Sequence, residues 1–220
     1  MTRKLEFAGK GAASGKATSL VVFLHGYGAD GADLLGLADV LGPPLPGTAF
    51  VAPDAPERCN GSPMGRQWFP IPWLDGSSEV AAGLGLARSS DDLNFFLDTQ
   101  MQATGLSAAA TALVGFSQGA MMAMHVAPRR AQAMAGIVAI SGRLLQPGRL
   151  GAEAVVRPPV LLIHGDEDPV VPFADMGQAG EALVAAGFAT SGHVMHGTGH
   201  GIAPDGLGAA LRFLKERLPA

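Results

Sequence analysis

Residues 112–120 read Ala-Leu-Val-Gly-Phe-Ser-Gln-Gly-Ala, an apolar run that leads into a Gly-x-Ser-x-Gly motif. The run before Gly115 is typical of a buried strand, and the residues from Gln118 onward are typical of a buried helix. In such a strand–turn–helix setting the flanking glycines allow a serine on a strained turn, with its hydroxyl exposed at the sheet edge. The stretch therefore predicts a sheet packed against helices and a nucleophilic Ser117. The alternative is a glycine-rich turn without chemistry.

Other short apolar runs recur along the chain and are continuously apolar instead of alternating. They cover residues 20–24, 49–52, 136–140 and 160–163, with a weaker run at 190–195. Continuous runs indicate strands that are buried on both faces, as in a parallel sheet covered by helices. The predicted fold class is therefore α/β, with a mostly parallel central sheet and helices on both faces. A length of 220 residues fits a single domain over 1–220.

Helix candidates lie between these runs. Ser89 and Ser90 are predicted to cap a helix that Gly105 ends, because apolar residues follow them at helical spacing. Further helices are predicted over residues 118–127, 175–186 and 204–218. Residues 53–87 and 142–159 are predicted as long connections. Each is either a wall of a pocket or an ordinary surface loop.

Composition narrows the classes of function. The net charge is −4 and the basic residues are scattered, so long-range attraction to nucleic acid is weak. Cys59 is the only cysteine, which fits a reducing compartment. No apolar run approaches the roughly 20 residues that span a bilayer, and residues 1–10 do not resemble a signal peptide. The expectation is a cytoplasmic protein without stable membrane insertion.

A nucleophilic serine needs a base to take its proton and an acid to orient that base. In α/β proteins with a serine on such a strand–turn–helix motif, the order along the chain is serine, acid, histidine. Asp168 follows the apolar run at 160–163, and Asp166 competes with it for the role of the acid. His200 lies between glycines before the last helix, and His196 competes with it for the role of the base.

The histidines and one early loop raise two further questions. His193, His196 and His200 are close in sequence, but a strand and a loop separate them and no Cys completes a zinc pattern. No metal and no cofactor are therefore predicted. An oxyanion needs fixed donors, and the backbone N–H groups of Gln118 and Tyr27 are the candidates.

Four blocks of the sequence, in order, resemble the phospholipase/carboxylesterase family of α/β-hydrolases. This family includes small bacterial carboxylesterases and acyl-protein thioesterases. The blocks are residues 25–31, 115–120, 164–172 and 199–200, within a similarity from Leu20 to Leu218. The resemblance implies the α/β-hydrolase fold and a triad of Ser117, Asp168 and His200, with Tyr27 and Gln118 as oxyanion donors. It favours Asp168 over Asp166 and His200 over His196.

The resemblance also implies residues that contact substrate. Residues 67–70 are similar to the family's Trp–aromatic–Asp segment, although Pro70 stands where the family has an acid. Tyr27 stands where the family has a branched apolar residue. The residues implied for substrate binding are Trp68, Phe69, Leu144 and Leu145.

The expected function is a serine carboxylesterase that hydrolyses short to medium acyl esters through an acyl-enzyme intermediate. Its partner is a small-molecule ester and not nucleic acid, with a homodimer left open. One alternative keeps the triad and acts as an acyl-protein thioesterase or lysophospholipase. A second alternative is a non-catalytic binding module on the same fold.

Overall fold

The fold is built on a seven-stranded sheet with the order β1-β3-β2-β6-β7-β8-β9. A computed structural model describes residues 2–13, 15–59 and 62–219. Strand β1 pairs antiparallel with β3, and the other neighbours in the sheet are parallel. Strands β4 and β5 form a separate antiparallel hairpin. The strands are β1 (Phe7–Lys10), β2 (Ser19–Leu24), β3 (Thr48–Pro53), β4 (Glu57–Cys59), β5 (Ser62–Gln67), β6 (Thr111–Phe116), β7 (Gly136–Ile140), β8 (Val160–Gly165) and β9 (Thr190–Met195).

Eight α-helices connect or follow these strands among the described residues. They are α1 (Gly31–Leu35), α2 (Ala38–Leu41), α3 (Pro72–Asp75), α4 (Glu79–Thr104), α5 (Gln118–Val126), α6 (Pro147–Glu153), α7 (Ala174–Ala185) and α8 (Pro204–Arg217). Short 3₁₀ turns cover Ala108–Ala110 and Ala127–Arg129. None of the helices in the described ranges is long and apolar enough to cross a bilayer.

Both faces of the sheet are covered, because successive strand residues point to opposite sides. In β2, Leu20, Val22 and Leu24 belong to an apolar cluster that also contains residues of α4, α5 and α7. The alternate residues Val21 and Phe23 belong to a second cluster, with residues of α1, α2 and α8. The predicted α/β architecture is therefore confirmed, with one hydrophobic layer on each side of a buried sheet.

The apolar runs of the sequence all lie in the central sheet, including the weaker run that forms β9. The two predicted long loops contain more structure than was expected. Residues 53–87 include the hairpin β4–β5, α3 and the beginning of α4, and residues 142–159 include α6. The edge strand β1 has no counterpart among the predicted elements.

The predicted start of the helix that Gly105 ends is wrong. Helix α4 begins at Glu79 with Ser78 as its N-cap, and the Ser78 hydroxyl accepts a hydrogen bond from the Ala81 N–H. Ser90 instead donates to the Leu86 carbonyl within the helix. The C-terminal prediction is confirmed, since Gly105 has the left-handed conformation of a helix C-cap.

Candidate active site

Ser117 lies on the sharp turn between β6 and α5. Its backbone has φ 52° and ψ −117°, which is a costly conformation for a residue with a side chain. The Ser117 N–H donates to the Ile140 carbonyl at 2.8 Å, which ties the turn to the end of β7. The strained turn that the motif predicts is therefore present at Ser117.

The glycines of the motif are required by close approaches of the backbone. A Cβ atom on Gly119 would lie 1.8 Å from the Leu24 carbonyl oxygen at the end of β2. A Cβ atom on Gly115 would lie 2.3 Å from the Gly119 carbonyl oxygen. Neither position can take a side chain without moving the backbone, so both glycines allow α5 to start directly against the sheet.

Three side chains from the loops after β6, β8 and β9 form one hydrogen-bonded chain. His200 Nε2 lies 3.0 Å from Ser117 Oγ, and His200 Nδ1 lies 2.7 Å from Asp168 Oδ2. These contacts fit the tautomer in which Nδ1 carries the proton and Nε2 accepts from the serine hydroxyl. The Phe116 ring packs against the imidazole with centroids 4.9 Å apart. The arrangement can deprotonate Ser117 as that hydroxyl attacks a carbonyl carbon.

The Asp168 carboxylate accepts three hydrogen bonds, from His200, Val170 and Val171, and lies beside His164. Oδ1 accepts from the N–H groups of Val170 and Val171 at 2.8 and 2.9 Å. His164 Nε2 lies 3.3 Å from Oδ2 and donates to the Val171 carbonyl at 3.0 Å. Burial by itself raises the pKa of Asp168, but the hydrogen bonds from His200, Val171 and Val170 outweigh it and hold that pKa below its ordinary value. Asp168 is therefore a stable anion beside His200.

Asp166, the competing acid of the sequence, binds elsewhere. Its Oδ2 lies 2.7 Å from His196 Nδ1, and its Oδ1 accepts from the Gly197 N–H at 2.7 Å. His193 Nε2 lies 2.8 Å from Asp205 Oδ2. The three histidines that are close in sequence thus pair with three different carboxylates and do not converge on one point.

The predicted oxyanion donors belong to two segments that adjoin Ser117. Gln118 is the first residue of α5, and the loop of Tyr27 packs on the nucleophile, because a Cβ atom on Gly26 would lie 3.3 Å from Ser117 Cβ. Neither the Tyr27 N–H nor the Gln118 N–H donates to an acceptor among the described residues. Two free donors beside a nucleophile can stabilise a developing oxyanion.

The His25 ring fixes the base of the Tyr27 loop. Its Nδ1 donates to the Gly26 carbonyl at 2.7 Å, and its Nε2 accepts from the Ala55 N–H at 2.9 Å. The bond from Ala55 requires the neutral ring, because a protonated Nε2 cannot accept. Burial lowers the pKa of His25 and so keeps the ring neutral.

The residues predicted to contact substrate differ in their accessibility. Trp68 is 0% exposed, Phe69 is 5% exposed and Leu144 is 6% exposed, whereas Leu145 is half-buried. Trp68 donates from its indole Nε1 to the His25 carbonyl at 3.0 Å. Trp68 therefore supports the Tyr27 loop from beneath and does not offer an accessible surface.

Sequence reasoning missed the hairpin that supports the same loop from the other side. The Gly28 N–H donates to the Arg66 carbonyl at 2.8 Å, and the Arg66 N–H donates to the Ala29 carbonyl at 2.9 Å. Residues 62–67 carry Pro63 and Gly65 and lack strand periodicity, so the pattern contained no signal for this contact. The side chain of Gln118 was also missed, although it bonds to the backbone of residues 68 and 69.

Comparison with known proteins places this geometry in a family. The family model described as Phospholipase/Carboxylesterase matches residues 11–218. The chain belongs to the phospholipase/carboxylesterase family. The α/β-hydrolase fold and the family resemblance predicted from the sequence are thereby confirmed.

Relatives within the phospholipase/carboxylesterase family include enzymes with named activities. Esterase YpfH of Escherichia coli strain K12 is 29% identical over an alignment of 206 residues that covers 92% of this chain and 84% of that protein. Acyl-protein thioesterase 1 of Saccharomyces cerevisiae is 30% identical over 215 residues, covering 92% of this chain and 94% of that protein. The crystal structure of esterase PE8 is 44% identical, covers 98% of this chain and 100% of its own, and superimposes with a TM-score of 0.93. Family membership and these relatives support an enzyme that hydrolyses carboxylic esters.

Proposed function

We propose that the protein is a serine carboxylesterase in which Ser117 is the nucleophile, His200 the general base and Asp168 the acid that orients it. One observation carries the proposal. An unbroken chain of hydrogen bonds runs from Ser117 Oγ through the imidazole to the buried Asp168 carboxylate, with separations of 3.0 and 2.7 Å. Each side chain has the role that nucleophilic catalysis requires.

The first half of the reaction acylates the enzyme. Ser117 Oγ attacks the ester carbonyl carbon while His200 Nε2 takes the hydroxyl proton, and the carbonyl oxygen becomes an oxyanion facing the N–H groups of Tyr27 and Gln118. The Asp168 carboxylate stabilises the imidazolium that forms. When the C–O bond to the alcohol breaks, His200 returns its proton to the leaving oxygen.

The second half of the reaction hydrolyses the acyl-enzyme and releases the carboxylic acid product. Water gives a proton to His200 Nε2 and attacks the acyl carbon, and a second oxyanion forms between the same two donors. Its collapse breaks the bond to Ser117 Oγ, which regains the proton from His200. The net reaction consumes one water and gives one carboxylic acid and one alcohol.

The acyl groups proposed are short to medium in length. Three of the four residues predicted to contact substrate are buried, so they offer little surface to a long acyl chain. Leu145, in the loop after β7, is half-buried and is the accessible apolar residue of that set. The substrate proposed is therefore a small-molecule ester.

The compartment proposed is the cytoplasm. Cys59 is buried and free of any disulfide, which fits a reducing environment.

Replacing the nucleophile tests the proposal. Ser117→Ala is expected to lower turnover of p-nitrophenyl acetate by about 10⁵-fold or more, because the covalent route is lost. Thermal unfolding of the same variant checks that the fold is kept. Turnover close to that of the unaltered protein in a folded variant would exclude Ser117 as the nucleophile.

Thioester hydrolysis is a second candidate, favoured by the likeness to the acyl-protein thioesterase of Saccharomyces cerevisiae. Rates on matched acetyl, butyryl and octanoyl esters and thioesters separate the two activities. Labelling by a fluorophosphonate separates both from a non-catalytic binding module, since only an activated Ser117 forms the adduct.

A further inference from the structure

Trp68 is bonded to three elements that surround the candidate active site. Its backbone N–H donates to Gln118 Oε1 at 2.8 Å, and its indole Nε1 donates to the His25 carbonyl at 3.0 Å. Its own carbonyl accepts from the Ser89 hydroxyl of α4. The side chain is fully buried. Every polar group of Trp68 therefore has a hydrogen-bond partner, and these bonds fix the position of the residue.

One of these bonds leads to the first oxyanion donor. The Gln118 side chain is fully buried, and its Nε2 also donates to the Phe69 carbonyl at 2.7 Å. Both ends of this amide are thus fixed on residues 68 and 69. Since the N–H of the same residue is one of the two proposed oxyanion donors, the position of that donor is tied to Trp68.

The indole bond leads to the second donor. The His25 carbonyl that accepts it lies two residues before Tyr27, and the intervening Gly26 packs against Ser117. No other residue among those described bonds to both Gln118 and His25.

We propose that Trp68 is a positioning residue that sets the separation between the two oxyanion donors, by bridging Gln118 and the His25–Tyr27 loop. This inference rests on the proposed function. Trp68 acts through these two residues and does not touch the substrate. Donors of this kind are effective only within about 2.7–3.1 Å of the oxyanion. A loosened loop therefore reduces the stabilisation of the transition state more than it reduces the binding of the substrate.

Trp68→Phe tests the bridge, because it removes the indole N–H and keeps an aromatic ring. We expect kcat on p-nitrophenyl acetate to fall about 10-fold or more while KM stays within about twofold, the signature of an interaction lost in the transition state. The affinity for an aryl trifluoromethyl ketone, which adds to Ser117 and gives an oxyanion, should fall in parallel.

Trp73→Phe is the matched control. Trp73 is exposed and lies under the Arg143 guanidinium at 5.0 Å, away from these bonds. It should leave kcat, KM and ketone affinity unchanged.

A second substitution covers the case in which Trp68→Phe fails to fold. In the Trp73→Phe background, benzothienylalanine can be incorporated at position 68, where it keeps the shape of the indole and replaces its N–H with sulfur. A loss of kcat and of ketone affinity with an unchanged melting temperature supports the bridge. Unchanged kcat and ketone affinity, or a lower melting temperature alone, overturns it. Failure of the proposed function is distinguishable, since the unaltered protein would then show no fluorophosphonate adduct at Ser117.

Discussion

Two aspartates that follow β8 meet two histidines that follow β9, and only one of the pairs reaches the nucleophile. The Asp168–His200 pair continues to Ser117 Oγ, and its carboxylate is fully buried. In the Asp166–His196 pair the imidazole is 83% exposed. An exposed side-chain contact of this kind contributes little stability, and it joins the two loops without reaching Ser117.

The two aspartates should therefore respond differently to the same substitution. Asp168→Asn is expected to lower kcat on p-nitrophenyl acetate by about 10⁴-fold, because an amide no longer holds the tautomer or stabilises the imidazolium. Asp166→Asn is the matched control, and its kcat should remain within about one order of magnitude of the unaltered protein. If Asp166→Asn is the more damaging change, the acid has been assigned to the wrong residue.

Tyr27 is the only tyrosine of the chain, so its ionisation can be followed without interference from other phenols. Burial, followed by the nearby Cys59 and Asp75, raises the pKa of Tyr27 to about 12. Ultraviolet difference absorbance of the folded protein should show no more than about one-tenth of the phenolate signal at pH 11, whereas the urea-unfolded chain should titrate near pH 10. Titration of the folded protein near pH 10 would mean that the hydroxyl is open to solvent.

At the level of elements, continuous apolar runs and apolar residues at helical spacing were the reliable signals. The core strands and the ends of α5, α7 and α8 could be predicted, because burial on both faces or along one stripe imposes a visible pattern. Strand β1 could not, since its four residues are exposed or half-buried and it lies at the edge of the sheet. The hairpin β4–β5 could not either, because β4 has only three residues and β5 contains proline and glycine.

The beginning of α4 was obscured by its own glycines. Gly83 and Gly85 are both inside the helix, where glycine is disfavoured, so the pattern suggested a later start. The two glycines differ in their surroundings. A Cβ atom on Gly83 meets nothing within 4 Å, whereas on Gly85 it would lie 2.6 Å from Pro70 Cδ.

These surroundings predict opposite effects of alanine in one helix. Gly83→Ala should raise the free energy of unfolding by about 0.5–1 kcal/mol, because alanine loses less backbone entropy on folding. Gly85→Ala should lower the free energy of unfolding by about 1–3 kcal/mol, because the new methyl group pushes against the proline ring. Urea denaturation measures both. Equal stability of the two variants would show that α4 does not press on residues 69 and 70.

The candidate site was predictable where the sequence carries a short motif and not where it depends on packing. Ser117 could be predicted from the elbow motif, and the choice of Asp168 over Asp166 needed the family resemblance. Nothing local in the sequence places the Trp68 indole against the His25 carbonyl, since 43 positions separate the two residues. A long-range contact of this kind follows from the packing of the segment after β5 against the loop after β2 and the start of α5.

At the scale of the whole molecule, the order of the strands assembles the site. Parallel strands end at one edge, and β2, β6, β7, β8 and β9 are neighbours in that order. The loops after β2 and β6 therefore bring Tyr27 beside Ser117, while those after β8 and β9 bring Asp168 beside His200. The site lies at the carboxyl ends of the strands, where open α/β sheets bind their ligands.

Buried histidines should make the stability of the whole fold sensitive to acid. Burial, and then the neighbouring Arg129, lowers the pKa of His125 to about 4, and burial also lowers the pKa of His25. Below about pH 6.5 these two histidines bind protons in the unfolded chain but stay neutral in the folded protein. The free energy of unfolding therefore falls as the pH drops towards about 4.

Urea denaturation across this range, with His125→Leu for comparison, measures the effect. The variant should lose stability less steeply than the unaltered protein between about pH 6.5 and 4, because it lacks one of the two histidines that bind a proton only in the unfolded chain. Parallel curves for the two proteins would show that His125 is protonated equally in the folded and unfolded states.

The contrast between the two tryptophans has an optical consequence. One indole is sealed inside the protein and the other is 59% exposed to water. Acrylamide should quench the emission of Trp73 first and leave a blue-shifted remainder that originates from Trp68 alone. That remaining light comes from the residue that joins the two donors beside Ser117. The protein therefore carries its own fluorescent label at the support of the site, and its signal follows any loosening there during denaturation or inhibitor binding.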